Sequence, residues 1–202
     1  MELEGHYVSD YIRIYKNVLD KPTFNKIKKY AKDKPSFAKI SKSTVYKVDR
    51  SADNKIDDSR TSNSEFMNSF ETDSMTNVRI TNRIISYFNL YASKYINAVL
   101  PIDHVHLKIN QIDLLRYDKG SYFERHLDHG HASNRALSFV YLVNKDYKGG
   151  ELEFFLPNNS KSFLKINDTE NTLIIFPSNF MYPHFINPVT EGERYSIVAW
   201  AQ

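Results

Sequence analysis

The chain has 202 residues, enough for one domain with a sizeable core. Its 41% hydrophobic and 14% aromatic content suits a β-rich globular protein rather than a disordered one. A formal charge of +3 is too mild to argue for nucleic acid or a membrane surface, and the absence of cysteine excludes disulfides and thiolate metal sites, so any metal must use His, Asp or Glu.

The first ten residues are polar and acidic, with no apolar run of the secretory kind. No stretch approaches the roughly 18 apolar residues of a membrane span, so the expectation is a soluble, cytoplasmic protein. Alternation of Ile12, Ile14 and Val18 predicts an opening strand over 8–18. Asp20-Lys21-Pro22 predicts a helix start, capped by Asp20 or Thr23, and the helix carries Phe24, Ile27, Lys28 and Tyr30 and stops before Pro35. A short strand is expected over 44–48. Residues 49–64 are polar and aperiodic, a sixteen-residue loop that reads either as a lid or as a surface insertion.

The longest predicted helix spans 77–100, where Ile80, Ile84, Phe88, Tyr91, Ala92, Tyr95, Ile96 and Val99 recur at three- and four-residue steps, an apolar stripe that packs on a sheet. From His104 onward short alternating strands take over, near 105–117, 122–127, 136–143, 150–156, 162–165, 172–176, 182–186 and 194–202. Turns are expected at Asp118-Lys119-Gly120, Lys148-Gly149-Gly150, Pro157-Asn158-Asn159 and Glu191-Gly192. Eight strands after two helices predict an α+β, mainly β fold: a double-stranded β-helix, or jelly roll, flanked by N-terminal helices. One domain over 1–202 is expected, with a helical and lid part to about 103 and the jelly-roll core after it.

His126-Leu127-Asp128 puts an imidazole and a carboxylate on the same side of a strand, and His184 stands 56 positions further on. Two His and one carboxylate on one face of a metal suit Fe(II), because open positions remain. Arg194 offers a fixed fork for a carboxylate. The triplet alone is common and could be two polar residues on a wet strand face. His104 and His106 alternate in the same way but lack the surrounding pattern, and His129 and His131 fit a turn better than a ligand set.

Read in order, Ser59-Arg60-Thr61-Ser62, the Tyr117–Arg125 approach to His126-x-Asp128, Arg135–Ser138, Gly149-Gly150-Glu151, Phe176-Pro177-Ser178, His184 and Arg194-Tyr195-Ser196 resemble the 2-oxoglutarate and Fe(II)-dependent oxygenases, in particular the prolyl 4-hydroxylase branch. The resemblance runs from about residue 59 to 202. It implies Fe(II) on His126, Asp128 and His184, and 2-oxoglutarate on Arg194, with Tyr117 and Ser196 as further contacts. It also implies O2 as second co-substrate, ascorbate as supporting reductant, and a lid around Arg60. Arg135 and Trp200 match positions near a peptide groove, where an aromatic floor and arginines suit an extended, proline-containing chain. The implied reaction hydroxylates proline, at C4, with release of succinate and CO2. Two positions depart from the family pattern: Leu142 stands where many members have Tyr, with Tyr141 one step earlier and facing the other way, and Leu152 follows Gly-Gly-Glu where some have Thr.

Other readings stay open. The same chemistry could act on a free amino acid, another side chain or a nucleobase. Nucleobase dioxygenases of this superfamily carry a second Arg six positions past the co-substrate Arg, where this chain has Trp200, so nucleic acid is not expected as partner. Asp128 occupies the space a halide would need, which disfavours a halogenase. A non-catalytic β-rich binding protein would purify without iron and ignore 2-oxoglutarate.

Overall fold

The computed structural model describes residues 8–33, 61–67, 74–99, 107–130, 134–167 and 169–202. A 3-10 turn at Val8–Tyr11, closed by the Ile12 amide donating to the Ser9 carbonyl at 3.1 Å, leads into β1 (Arg13–Lys16). The strand expected over 8–18 is therefore shorter at both ends. Asn17, at φ 55, breaks the pleat, and the amides after it bond to a distant residue: Val18 to the Asn171 carbonyl at 3.2 Å and Leu19 to the Asn171 Oδ1 at 2.9 Å.

Helix α1 (Lys21–Asp33) is capped by Asp20, whose Oδ1 accepts the Thr23 amide at 2.9 Å, so of the two candidate caps Asp20 serves. Phe24, Ile27 and Ala31 form its buried face. Helix α2 (Met75–Val99) starts two residues before the expected 77, because Ser74 Oγ accepts the Asn77 amide at 3.3 Å. It buries Thr81, Ile84, Phe88, Ala92 and Tyr95, one stripe at helical spacing. Phe88 stacks on Phe139 at 5.7 Å between ring centroids and meets the Tyr141 ring edge-on at 6.4 Å. Among the described residues no helix is long and apolar enough to cross a membrane.

The remaining strands are β2 (Asn63–Phe66), β3 (Ile109–Tyr117), β4 (Phe123–His126), β5 (Leu137–Leu142), β6 (Tyr147–Gly149), β7 (Leu152–Phe155), β8 (Ser162–Ile166), β9 (Thr172–Pro177), β10 (His184–Ile186), β11 (Val189–Gly192) and β12 (Arg194–Ala201). A six-stranded sheet runs β1-β9-β5-β12-β3-β2, a four-stranded sheet runs β4-β10-β7-β8, and β11 pairs with β6. All pairings are antiparallel, and the two larger sheets with their helices form the expected jelly roll. The eight strands expected after residue 104 are present, six with trimmed ends and β8 and β9 each running one residue further than expected.

Three further strands were not expected. β2 begins inside the presumed 49–64 loop: Asn63-Ser64-Glu65-Phe66 has no apolar alternation, and its order comes from pairing Asn63↔Arg116 through Phe66↔Asp113 on β3. β6 and β11 take up residues read as turns. The ribbon requires Gly149 at φ +73, where a Cβ would lie 2.2 Å from the Pro188 carbonyl oxygen. The strand expected over 44–48, Arg60, His6, His104, His106 and His131 lie outside the described residues.

Both faces of the large sheet are covered, so β5 and β12 are buried along their whole length. Leu137, Phe139, Tyr141, Tyr195, Ile197 and Ala199 point to the helix side. Val140, Leu142, Leu115, Tyr117, Val198 and Trp200 point the other way, into the roll. Arg194 and Ser196 share that inner face by alternation along β12.

Candidate metal centre and co-substrate cleft

Pairing of β10 with β4 sets His184 directly opposite His126, so residues far apart in sequence become cross-strand neighbours. Their rings lie 4.1 Å apart between centroids. Asp128 stands just past the end of β4. Its Oδ1 is 3.7 Å from His126 Nε2 and its Oδ2 is 3.6 Å from His184 Nε2. One ligand atom from each of the three residues falls within 4.8 Å of the others, the spacing that a single cation can bridge.

The imidazoles are held in one tautomer. His126 Nδ1 lies 2.7 Å from the Glu124 carbonyl and His184 Nδ1 lies 3.1 Å from the Tyr182 carbonyl. A carbonyl only accepts, so each Nδ1 carries the hydrogen and each Nε2 is left as a lone-pair donor toward the shared point. Phe123 stacks on His126 at 3.5 Å and fixes the ring plane. Burial alone would push the Asp128 carboxyl up. The positive charge that His184 and His126 carry when protonated, with hydrogen bonds from Ser138 and the Trp200 indole, outweighs it and holds the group below the usual carboxylate range.

The triad opens into a cleft that Tyr117, Leu152, Arg194, Ser196 and Trp200 also line. Arg194 is 1% exposed. Its Nη1 donates to Ser196 Oγ at 3.0 Å, while Nε and Nη2, the two nitrogens of one edge of the guanidinium, are buried without a partner. Tyr117 lies opposite Arg194 in the β3–β12 register, with its ring 5.2 Å from the guanidinium carbon. The structure thus brings seven predicted residues, His126, Asp128, His184, Arg194, Tyr117, Ser196 and Trp200, to one cavity. Leu142 faces the roll and Tyr141 the helices, where it donates to Asn171 Oδ1 at 3.0 Å.

Arg135 and Trp200 are also together, in an arrangement the sequence did not reveal. The guanidinium sits 3.7 Å above the indole ring, donates to Gln111 Oε1 at 2.9 Å and reaches the Asp128 carbonyl at 3.4 Å. One indole face is therefore covered, and Trp200 serves Asp128 as well as lining the cleft. His129 is exposed and bonds to the Arg135 carbonyl at 2.9 Å, which makes it a turn anchor, as its place in sequence suggested. Thr61 and Tyr122 are stitched together, the Tyr122 amide donating to Thr61 Oγ1 at 2.9 Å and the Thr61 amide to the Tyr122 carbonyl at 3.1 Å. Two hydroxyls beneath Asp128, Ser138 and Ser178, had no role from sequence: serine is common in strands and turns, and nothing local to either one marks its partner.

Residues 112–202 match the family model described as the 2OG-Fe(II) oxygenase superfamily. This stretch is thus similar to the 2OG-Fe(II) oxygenase superfamily. A PKHD-type hydroxylase of Prochlorococcus marinus (strain MIT 9301) is 36% identical to this chain over 99 residues, 47% of this chain and 42% of that protein. Egl nine homolog 1 of Homo sapiens is 31% identical over 85 residues, 40% of this chain and 20% of that protein. The chain thus spans less than half the length of either relative. In fold, the jelly roll and its helices superpose on a Pseudomonas putida prolyl-4-hydroxylase with a TM-score of 0.69 at 15% identity, over 96% of this chain and 93% of the other. A Trichoplax adhaerens prolyl hydroxylase in complex with a hypoxia inducible factor peptide fragment gives 0.70 at 17% identity, over 96% and 84%. The donor set fits the cofactor such a family implies: two imidazole Nε2 atoms and one carboxylate, with the remaining coordination positions open to the cleft.

Proposed function

We propose that the protein is a Fe(II)- and 2-oxoglutarate-dependent dioxygenase that hydroxylates peptidyl proline. The observation that carries this reading is one cleft holding both an open-sided His-Asp-His triad and a buried guanidinium edge with no partner. An unpaired buried charge is destabilising by several kcal/mol, so this edge is built for an anion. Two N–H groups side by side match the two oxygens of a carboxylate. A ligand bearing a carboxylate for Arg194 and further oxygen donors for the metal is what 2-oxoglutarate supplies.

His126, Asp128 and His184 would hold Fe(II), and the chemistry supplied by bound Fe(II), 2-oxoglutarate and O2 is oxidative decarboxylation to succinate and CO2 coupled to hydroxylation of a C–H bond. The chain's own residues do the positioning. Arg194 and Ser196 anchor the far carboxylate, Tyr117 closes over the guanidinium, and Leu115, Leu152 and Val198 keep water from the cleft. Trp200 lines the cleft and Arg135 stacks on its ring, and with Arg60 they would meet the substrate peptide.

The test is incubation with Fe(II), 2-oxoglutarate, ascorbate and a proline-rich peptide, read by mass spectrometry. The expected product carries one added oxygen, and Asp128→Ala abolishes it. Succinate release with an unmodified peptide would reject the proline assignment and leave the same chemistry acting on another substrate, such as a free amino acid.

A further inference from the structure

Behind Asp128 lie two hydroxyls that the reading above leaves unused. Ser138 Oγ is 2.6 Å from Asp128 Oδ2, and Ser178 Oγ is 2.7 Å from Ser138 Oγ. Both serines are 1% exposed, so neither hydroxyl exchanges its partner for bulk water. The direction of the chain follows from the donors available. An ionised carboxylate only accepts, so the single O–H of Ser138 is committed to Asp128; the Ser138 oxygen is then an acceptor, and Ser178 must donate to it.

Ser178 is pinned at its backbone as well. Its amide donates to the Ala136 carbonyl at 2.9 Å, and its carbonyl accepts the His129 amide at 3.0 Å, one residue after Asp128. Ser178 therefore fixes both the main chain beside Asp128 and, through Ser138, the carboxylate itself.

We infer that Ser178 and Ser138 form a one-way hydrogen-bond relay that, by holding Oδ2, sets the rotation in which the Asp128 carboxylate would meet a metal. They are positioning residues, acting only through Asp128, and the inference rests on the metal-centre reading above. Outer hydrogen bonds of this kind are typically worth 10–100-fold in metal affinity.

The experiment is titration of the metal-free protein with Mn(II) alone, without co-substrate or oxygen, paired with thermal melts of the same metal-free samples. Ser138→Ala is expected to weaken Mn(II) binding roughly 10–100-fold. Ser178→Ala, one bond further out, should weaken it less, and Ser138→Thr, which keeps the hydroxyl, should bind near the wild-type level. Melting temperatures that fall in the alanine variants while Mn(II) affinity stays at the wild-type value would overturn the relay and reduce the serines to packing. If Ser138→Ala fails to fold, Ser178→Ala decides alone, and an unchanged affinity there overturns it. Failure of the wild-type protein to bind Mn(II) would sink the metal-centre reading and the relay with it, whereas wild-type binding with unaffected variants sinks the relay only.

Discussion

Arg194 is a side chain whose contribution to stability and to function should have opposite signs. With Nε and Nη2 buried and unpaired, it burdens the ligand-free fold. Arg194→Met should therefore leave the melting temperature of the ligand-free protein unchanged or higher, while 2-oxoglutarate no longer stabilises the metal-loaded protein. Arg194→Lys, a point charge without the fork, should fall between. Beside it, Gly150 sits at φ +70, and a Cβ there would come within 2.8 Å of Arg194 Cδ. Gly150→Ala should cost about 1–3 kcal/mol from the backbone alone and raise the 2-oxoglutarate requirement by displacing the guanidinium, measurable as denaturant midpoint and co-substrate titration. At this scale the sequence was legible wherever chemistry forced a residue type: two His, an Asp and an Arg in a recognisable order. It was silent where a common residue acquires its role from a distant neighbour, as Ser138 does from Asp128 and Ser178.

Among the elements, α2 was readable because its stripe repeats at helical spacing, and the side it buries is the sheet face opposite the cleft. Phe88→Ala should thus destabilise by about 3–5 kcal/mol while leaving Mn(II) affinity of the folded fraction unchanged, which thermal melts and titration would separate. Helix α1 docks through charge as well as apolar contact: Lys32 bonds to Asp146, and Lys28 lies 2.5 Å from Glu170. Burial would raise the Asp146 carboxyl, but the Lys32 and Asn144 hydrogen bonds prevail and pull it down to about 2. A lowered carboxylate pKa stabilises above the unfolded value near 4 and loses that contribution as pH falls toward 2. Asp146→Asn should therefore lower stability at neutral pH and converge with wild type in acid. The effect stays under about 1 kcal/mol because Asp146 is half exposed. Strands β2, β6 and β11 were not readable, since each is short, polar or glycine-bearing and is ordered by its partner rather than by its own pattern. The overlong opening strand has the same origin: alternation in 8–18 carried no trace of the left-handed Asn17 or of Asn171 waiting 154 residues on.

For the whole molecule, ligands that bind only the folded state raise its stability by mass action, about 2.7 kcal/mol at 100 times the dissociation constant. For a chain of this size that corresponds to a rise in melting temperature of roughly 5–10 °C. Mn(II) with 2-oxoglutarate should produce such a shift, and Asp128→Ala should remove it. The order of strands was legible because alternating segments separated by turns admit few closed arrangements. What no local pattern could give was the coincidence of β10 with β4 that seats His184 against His126.

The alternation along β12 has an evolutionary corollary. Odd steps of that strand face the helices and even steps face the cleft, so inserting or losing a single amino acid there would turn Arg194 among hydrocarbon and bring Tyr195 or Ile197 into the cleft in place of Arg194 or Ser196. Such a lineage would lose the fold and the cleft together. Insertions and deletions should therefore be tolerated better in the loops around the mouth than along this strand.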